Sequence, residues 1–289
     1  MSTRSRKWRY TLEYAGFRTL ESIFRALPVE IASNISGSIW RRAGPRLRRH
    51  KRSLAHLRAA FPSASQGELE AIARQMWENL GRTFAESFHL PEIASHRIVV
   101  ADEAVWRARA AGEGGWVVCS AHFSNWEIAV AGLARYGRRT AGVYQKISNP
   151  LVDARVRAMR SFLYPGGLYS KGDATAIRLA HRVREGDALA ILADLRDHRG
   201  IDVDFFGRPA PTTAFPAALA RRLNAPLFVG RVQRRAGVRF FLEMVEIRTP
   251  RTSDRDADVR AATMAIQRQL EDWIRADPGG WMWVHRRWG

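Results

Sequence analysis

A histidine and a glutamate separated by four residues are the side chains in this sequence best suited to moving a proton. They are His122 and Glu127, the ends of the segment His122-Phe123-Ser124-Asn125-Trp126-Glu127. A neutral imidazole accepts a proton from an attacking hydroxyl, and a nearby carboxylate orients the ring and stabilises the imidazolium. Five residues of continuous helix turn the chain by about 140°. The two side chains therefore meet only if His122 precedes a helix and Glu127 lies in its first turn.

The same segment also fits a purely structural role. Ser124 and Glu127 have the spacing of a capping box, in which each side chain accepts a hydrogen bond from the other's backbone N–H. His122 would then be an ordinary loop residue, and the segment by itself leaves both interpretations open. The spacing differs from the His-Glu-x-x-His pattern, which gives a zinc protease little support.

The pattern around this segment predicts an α/β fold with a mainly parallel central sheet flanked by helices. Predicted strands are 115–120, 140–144, 187–193, 226–232 and 238–247. Predicted helices are 125–135, a helix beginning at Asn149-Pro150, 173–184, 212–223 and 255–274. Ligand sites in such sheets lie in the loops beyond the carboxyl ends of the strands. We therefore expect the loops 121–125, 145–146 and 194–198 to meet.

The first 95 residues are predicted to be helical, and residues 1–52 to dock on a membrane surface. Residues 1–60 hold 14 Lys and Arg against three Glu, a net +11 out of +19 for the chain. Apolar side chains at positions 10, 14, 17, 20, 24 and 27 follow helical spacing as far as Pro28, and Ile31, Ile35 and Ile39 mark a second helix. Cations beside an apolar face are typical of interfacial helices. Two ordinary helices with a solvated basic face are the alternative.

No apolar stretch of the sequence is long enough to span a bilayer, so we expect peripheral attachment. We also expect residues 1–95 to form one structural unit with an α/β core over residues 96–289. The single cysteine, Cys119, ends an apolar run and is predicted to lie in the core of a strand.

Motifs along nearly the whole chain resemble one known family. The resemblance is carried, in order, by the segment 122–127, Gly142-Val143-Tyr144, Asn149-Pro150-Leu151, Arg160, Leu192-Ala193-Asp194, Phe205-Phe206-Gly207-Arg208-Pro209-Ala210, Thr212-Thr213 and Trp281-Met282-Trp283-Val284-His285-Arg286-Arg287-Trp288. Each motif is weak by itself, but their order and spacing together resemble the late acyltransferases of lipid A biosynthesis. That family belongs to the broader lysophospholipid and glycerolipid acyltransferases.

The resemblance implies transfer of a fatty acyl group from a thioester on acyl carrier protein to a hydroxyl of a lipid A precursor, a phosphorylated glycolipid. By position, His122 is the general base and Glu127 its partner. The substrate-binding residues implied are Arg160, Asp194, Tyr144, Asn149, Arg208 and Thr212. No cofactor or metal is implied beyond the thioester co-substrate. The expected location is the cytoplasmic face of the cell inner membrane, with peripheral or monotopic attachment to an anionic surface.

The strongly basic composition suits these expected partners. Arginine binds phosphate in a bidentate manner, and a basic surface attracts an acidic carrier protein. Two positions depart from the family pattern: Gln145-Lys146 stands where the family often has Arg, and Phe215 where it often has Gly. These departures bear on the choice of substrate rather than on the reaction.

Three alternatives remain open from the sequence. The first is an acyltransferase for another membrane lipid, such as a lysophospholipid or a glycosylated phosphoinositide. The second is a basic nucleic-acid-binding protein, although we expect no nucleic-acid partner because no recognised binding module is present. The third is a metal-dependent hydrolase using His122, Asp194, Asp197 and His198, a spacing that is also common in turns.

Overall fold

The computed structural model describes residues 3–288, so Met1, Ser2 and Gly289 of the two predicted regions lie outside the described residues. The chain begins with the helices α1 (Thr3–Ala26), α2 (Val29–Ala43), α3 (Arg48–Ala60), α4 (Gln66–Glu86) and α5 (Leu90–His96). The predicted break at Pro28 is confirmed, because α2 begins directly after it. Helix α4 starts at a capping box formed by Ser65 and Glu68.

Strands then alternate with helices. The strands are β1 (Ile98–Val100), β2 (Trp116–Ser120), β3 (Thr140–Tyr144), β4 (Gly167–Ser170), β5 (Ala188–Leu192), β6 (Arg196–Phe205), β7 (Arg208–Thr212), β8 (Leu227–Arg234) and β9 (Phe240–Ile247). The helices are α6 (Glu103–Ala110), α7 (Ala131–Arg135), α8 (Pro150–Arg160), α9 (Asp173–Arg184), α10 (Phe215–Leu223) and α11 (Arg255–Ala276). Single 3₁₀ turns cover Gly44–Arg46, Trp126–Ile128, Ser161–Leu163 and Pro278–Gly280.

Seven strands form one sheet in the order β1-β9-β8-β2-β5-β3-β4. All neighbouring pairs in it are parallel except β8 with β9. The predicted α/β class with a mainly parallel sheet is therefore confirmed. Large apolar clusters cover both faces of the sheet, as parallel sheets require. Cys119 lies fully buried in β2, as expected, and burial raises the pKa of its thiol to about 12.

Two predicted helices are wrong in part. The segment predicted as one helix over 125–135 contains a single 3₁₀ turn, Trp126–Ile128, and the short α7. The chain cannot enter a helix there because Ser124 has a φ of +51°, in the left-handed region. The helix predicted over 212–223 begins only at Phe215, since Thr212 ends the strand β7. That strand pairs with β6 in a separate antiparallel hairpin, which was not predicted.

The predicted apolar stripe of α1 packs against the rest of the protein, apart from Leu20. Phe24 is buried, and its ring centroid lies 5.8 Å from that of Phe88. Glu21 lies beside the stripe and is only 2% exposed. The Arg155 guanidinium of α8 binds its carboxylate and lowers its pKa, so the buried charge is compensated. The stripe thus docks α1 on the body of the protein.

The outer faces of α1 and α2 expose several large apolar side chains. They are Trp8, Leu12, Leu20 and Ile23 on α1, and Ile31, Ile35 and Ile39 on α2. The opposite side of α2 is buried against α4, where the Ser36 hydroxyl donates to the Gly81 carbonyl at 2.6 Å. Over residues 3–288, the helices are too short or too polar to cross a membrane.

Candidate active site

The side chains of His122 and Asp194 meet beyond the carboxyl ends of two adjacent parallel strands. In the pairing of β2 with β5, Ser120 lies opposite Leu192, and both polar residues come two positions later. The pairing continues through a hydrogen bond from Ala193 N to Ser120 O at 2.8 Å. Because alternate residues of a strand share a face, the same register places His122 beside Asp194. The predicted meeting of the loops after these two strands is confirmed.

Asp194 holds His122 through two hydrogen bonds. Its Oδ1 lies 2.9 Å from His122 Nδ1, and its Oδ2 accepts from the His122 backbone N–H at 2.9 Å. Trp281 Nε1 donates to the same Oδ2 at 2.8 Å, and the carboxylate is 1% exposed. Burial raises the pKa of Asp194, but the charge of His122 and the hydrogen bonds from His122 and Trp281 outweigh it and lower the pKa to about 2. An ionised Asp194 fixes the ring proton on Nδ1 and leaves the Nε2 lone pair for a substrate.

Glu127 does not occupy the position that the sequence predicts for it. Within residues 3–288 its carboxylate makes no hydrogen bond to His122, and it accepts instead from Arg160 Nη2 at 2.5 Å and from Trp126 Nε1 at 3.1 Å. The physical reason is the missing helix, since the 3₁₀ turn directs Glu127 towards the last turn of α8. The capping box is wrong as well, because the Ser124 hydroxyl is buried without a hydrogen-bond partner in the described chain.

Helix α4 fixes the turn between His122 and Glu127. Asn79 Nδ2 and Thr83 Oγ1 donate to the carbonyl oxygen of Ser124 at 3.2 and 3.1 Å. The Ser124 N–H donates to the Gly280 carbonyl at 2.8 Å. These bonds offset the cost of the left-handed backbone at Ser124, roughly 1–2 kcal/mol. A strained residue held from two sides is typical of a functional loop.

A buried carboxylate, Glu86, anchors the next residue of the turn. Its Oε2 accepts from Asn125 Nδ2 at 2.9 Å, and Ser33 of α2 donates to its Oε1 at 2.7 Å. Arg234 of β8 binds both carboxylate oxygens, at 2.5 and 2.9 Å. Neither Glu86 nor Asn125 is exposed, so the charge of Glu86 is compensated entirely by these buried partners.

The C-terminal segment closes the other side of the site. Met282 N donates to the His122 carbonyl at 3.1 Å, and Phe123 forms a β-bridge with Trp281. These contacts place the His285 ring with its centroid 5.3 Å from that of His122. Burial, and next the charge of His122, lower the pKa of His285 to about 4, so this ring is neutral at pH 7. The Trp126 ring also lies 5.3 Å from His122.

Of the six residues predicted to bind substrate, Asp194 and Arg160 belong to this arrangement, and two others make internal bonds. Tyr144 donates its hydroxyl to Asp153 at 3.1 Å. Asn149 caps α8 by accepting from Leu151 N at 3.0 Å, and its amide donates to Glu13 of α1 at 2.9 Å. Such bonds leave these two side chains supporting α8 rather than facing a ligand.

The remaining two predicted residues lie on the hairpin strand β7. Thr212 is fully buried, donates to the Ala210 carbonyl and accepts from Arg287 Nη2 at 2.7 Å. Arg208 is exposed, and its guanidinium carbon lies 5.9 Å from the centre of the Trp288 ring. Thr212 is therefore structural, whereas Arg208 is accessible to an anion.

The residues named for the metal-site alternative do not form a ligand cluster. Asp197 accepts from Arg199 N at 3.0 Å, as in an ordinary turn, and His198 is exposed. In the part of the chain described, no three His, Cys, Asp or Glu side chains are grouped as metal ligands. Asp194 already directs its two oxygens at His122 and Trp281.

A small apolar cavity of about 40 Å³ lies on the sheet next to the His122 loop. Its wall comes from the central strands and from the segment that follows the loop; the main apolar lining residues are Val100, Val118, Ala129, Val130, Leu133, Ala190, Leu242 and Met244. Ser120, two residues before His122, also lines it.

Several residues that shape this site have no role predicted from the sequence. Asn79, Thr83 and Glu86 follow helical spacing and place three polar groups on one face of α4, which is a detectable signal. His285 stands within a C-terminal motif that was noted only as a whole. Asp194 was assigned to the substrate, although its strand-end position equally permits contact with His122.

The arrangement can activate a hydroxyl group. The buried, ionised Asp194 carboxylate orients the His122 imidazole. The Nε2 atom of that ring makes no hydrogen bond within residues 3–288, so it can act as a general base towards a hydroxyl nucleophile. Beside it lie an apolar cavity and an arginine held by Glu127.

Comparisons with a family model and with individual proteins both match this chain to acyltransferases. The family model described as bacterial lipid A biosynthesis acyltransferase matches residues 1–289. A phosphatidylinositol mannoside acyltransferase of Mycolicibacterium smegmatis is 26% identical over 290 residues, covering 95% of this chain and 89% of that protein. A phosphatidylinositol mannoside acyltransferase of Mycobacterium tuberculosis is 27% identical over 255 residues, covering 82% and 76%.

Proposed function

Because the chain belongs to the bacterial lipid A biosynthesis acyltransferase family, we propose that it moves a fatty acyl group from an acyl thioester to a hydroxyl of a phosphorylated glycolipid. That it is an acyltransferase follows from the family; the donor, the acceptor and the roles of the residues are the proposal. One observation carries it: His122 is bound through Nδ1 to the buried Asp194, and its Nε2 makes no hydrogen bond within residues 3–288. We assign His122 as the general base and Asp194 as the group that orients it.

The proposed reaction needs one base and no covalent intermediate on the protein. His122 Nε2 accepts the proton of the acceptor hydroxyl while its oxygen attacks the thioester carbonyl. The tetrahedral intermediate then expels the thiolate, which takes up the proton from the imidazolium. Asp194 stabilises the imidazolium between these two steps.

The surroundings of the base suit the two substrates. The apolar cavity beside the loop, about 40 Å³ in volume, marks where an acyl chain would enter once the lining side chains move apart, since burying methylene groups is favourable at roughly 0.8 kcal/mol each. Arg160, held by Glu127 and 26% exposed, is available to polar groups of the acceptor. Glu127 thereby acts on the acceptor through Arg160 rather than on His122.

Two acceptors are candidates. A lipid A precursor is the one that the sequence analysis predicts and the family description names. A phosphatidylinositol mannoside is the substrate in the names of both similar proteins, and the match covers nearly the whole chain. These relatives favour the second acceptor, which is a glycosylated phosphoinositide.

A transfer assay with purified protein tests the proposal. The protein is incubated with an acyl thioester of acyl carrier protein or of coenzyme A, and with each acceptor separately. Mass spectrometry then measures the masses of the products. We expect one acceptor to gain the mass of one acyl group, with release of one thiol per product. Release of free fatty acid without an acylated acceptor would contradict transferase function, and failure of every pair would contradict the proposal as a whole.

We place the protein at an anionic membrane surface, with α1 and α2 in contact with the lipid. The support is the row of exposed apolar side chains on these helices, among them Trp8 and Leu12, which are 65% and 68% exposed. Exposed apolar groups of this size next to cationic residues are typical of interfacial helices. The cytoplasmic face of the inner membrane is the proposed location, where the donor thioesters are made available.

Replacing Trp8 and Leu12 together by serine is expected to weaken binding to anionic vesicles by about tenfold or more, because both side chains lose apolar burial in the membrane. Flotation with liposomes measures the effect. The matched control is Ile177→Ser, since Ile177 is exposed on α9 to a similar extent, at 76%. Equal flotation of the double variant and the wild type would remove α1 from the docking surface.

A further inference from the structure

One face of α3 lies along the C-terminal segment that carries His285. The His56 Nδ1 atom is 3.2 Å from the Trp283 carbonyl, and Arg52 Nη1 donates to the Val284 carbonyl at 3.3 Å. The helix and the segment therefore run in opposite directions: His56 contacts Trp283, and Arg52, one turn earlier in α3, contacts Val284, the residue before His285. Arg49 is one helical turn before Arg52 on the same face.

The charges of Arg49 and Arg52 reach the active site. Burial first, and then His122, Arg49 and Arg52, lower the pKa of His285, while Asp194 raises it. Both guanidinium groups are therefore close enough to act on a ring that lies 5.3 Å from the His122 ring. The contacts of α3 and this electrostatic effect agree on the placement.

Arg208 of β7 lies on the same side. Its guanidinium is next to Trp288, and the His56 ring centroid lies 5.2 Å from that of Trp288. Burial, and then the charges of Arg52 and Arg208, lower the pKa of His56. Three arginines from α3 and the hairpin are thus grouped around the C-terminal segment.

Among the described residues 3–288, this group of cations has no carboxylate partner. In the ion pairs formed within residues 3–288, no carboxylate binds Arg49, Arg52 or Arg208. Arg49 also stands in the first turn of α3, whose helix dipole disfavours a cation by about 0.3–1 kcal/mol. That turn holds no acidic residue, and Leu47 provides no side-chain cap. Like charges placed together against the helix dipole favour the binding of an anion.

We propose that Arg49 and Arg52, assisted by Arg208, form a binding site for a phosphate group of the substrate on the His285 side of the active site. The inference rests on the proposed function. Guanidinium groups bind phosphate oxygens through paired, charge-assisted hydrogen bonds. The start of α3, where Leu47 provides no side-chain cap, also favours an anion through the helix dipole.

A phosphate ester reaches this site from one of two sources. One is the carrier arm of the donor thioester, and the other is the headgroup of the acceptor lipid. Both present the same chemical group to the arginines, so the kinetic constants for donor and acceptor separate them.

The test uses Arg49→Gln and the double variant Arg49→Gln/Arg52→Gln in micelles of neutral detergent, which remove any attraction to an anionic membrane. We expect KM for one substrate to rise about tenfold or more, the effect of losing a charge-assisted contact of roughly 1.5–3 kcal/mol. The kcat and the temperature of unfolding stay close to those of the wild type. Arg58→Gln on the same helix is the control, since Arg58 is exposed and its side chain binds Gln66.

Substrates without phosphate assign the source. If the acceptor supplies the phosphate, a dephosphorylated glycolipid gives equal KM values for variant and wild type. If the donor supplies the phosphate, a short-chain thioester that lacks it gives equal KM values for variant and wild type.

Three results would overturn the inference: unchanged KM for both substrates, an equal rise in Arg58→Gln, or an equal loss with phosphate-free substrates. Arg49→Gln keeps the test valid if the double variant fails to fold, because Arg49 is exposed. An active wild type with unaffected variants contradicts this site alone, whereas an inactive wild type contradicts the proposed function.

Discussion

Replacing His122 by alanine is expected to lower kcat for acyl transfer by about a hundred- to ten-thousandfold, the contribution of a positioned general base. The variant retains the cavity and the arginines, so its KM values change far less. The acceptor hydroxyl, whose proton must leave as the new ester forms, then has only water to receive it. Single-turnover measurement with a radiolabelled donor gives the rate of the chemical step.

A second histidine provides the control for this variant. His181→Ala removes an imidazole that is 67% exposed on α9 and pairs with Glu185 of the same helix, and its kcat should equal that of the wild type. Circular dichroism and thermal unfolding verify that both variants fold. Retention of more than about a tenth of the wild-type rate by folded His122→Ala protein would remove the base from the mechanism.

Replacing Asp194 by asparagine is expected to lower kcat by roughly a hundredfold or more. The amide retains the size of the side chain but loses the charge that stabilises the imidazolium and fixes its proton on Nδ1. Since the pKa of Asp194 is about 2, the carboxylate is ionised at every pH at which the enzyme would be assayed. The loss in the variant therefore does not arise from titration of Asp194 within that range of pH.

Protein stability gives a second measurement on the same variant. The folded-state pKa of about 2 lies below the ordinary value of 3.8, so ionised Asp194 contributes stability above about pH 4. That contribution is lost as the pH falls through the folded-state value. The free energy of unfolding of Asp194→Asn should accordingly fall less than that of the wild type between pH 4 and 2.

Glu127→Gln distinguishes the two carboxylates. The sequence predicts that Glu127 supports the base, whereas the structure places it against Arg160. We expect this variant to raise KM for the acceptor more than it lowers kcat. A collapse of kcat in Glu127→Gln, together with an active Asp194→Asn, would restore the assignment made from the sequence.

The strands around the site were predictable because burial imposes a simple pattern. Parallel strands covered on both faces are continuously apolar, and 115–120 and 187–193 have that composition. The hairpin of β6 and β7 was not predicted, because these strands are not continuously apolar: much of their sequence is polar or contains proline. Its one clear signal is that Ile201, Val203 and Phe205 alternate with aspartates.

The partner of His122 was not predictable from local spacing. Ser124, Asn125 and Glu127 are residues that favour the start of a helix, and local preference therefore predicts a dyad within the segment. Contacts with α4 override that preference by fixing Ser124 in a left-handed conformation. The contact with Asp194 depends on the register between β2 and β5, which is a property of the whole sheet.

The carboxylate of Glu86 sets a limit on how this enzyme can be shortened for work in solution. It accepts from Ser33 of α2 and from Asn125 in the turn after His122. A truncation that begins after α2 would remove one donor and admit water to a charge that is otherwise enclosed. Exchanging the outward isoleucines of α2 for polar residues leaves that junction intact, and is the safer route to a form that needs no detergent.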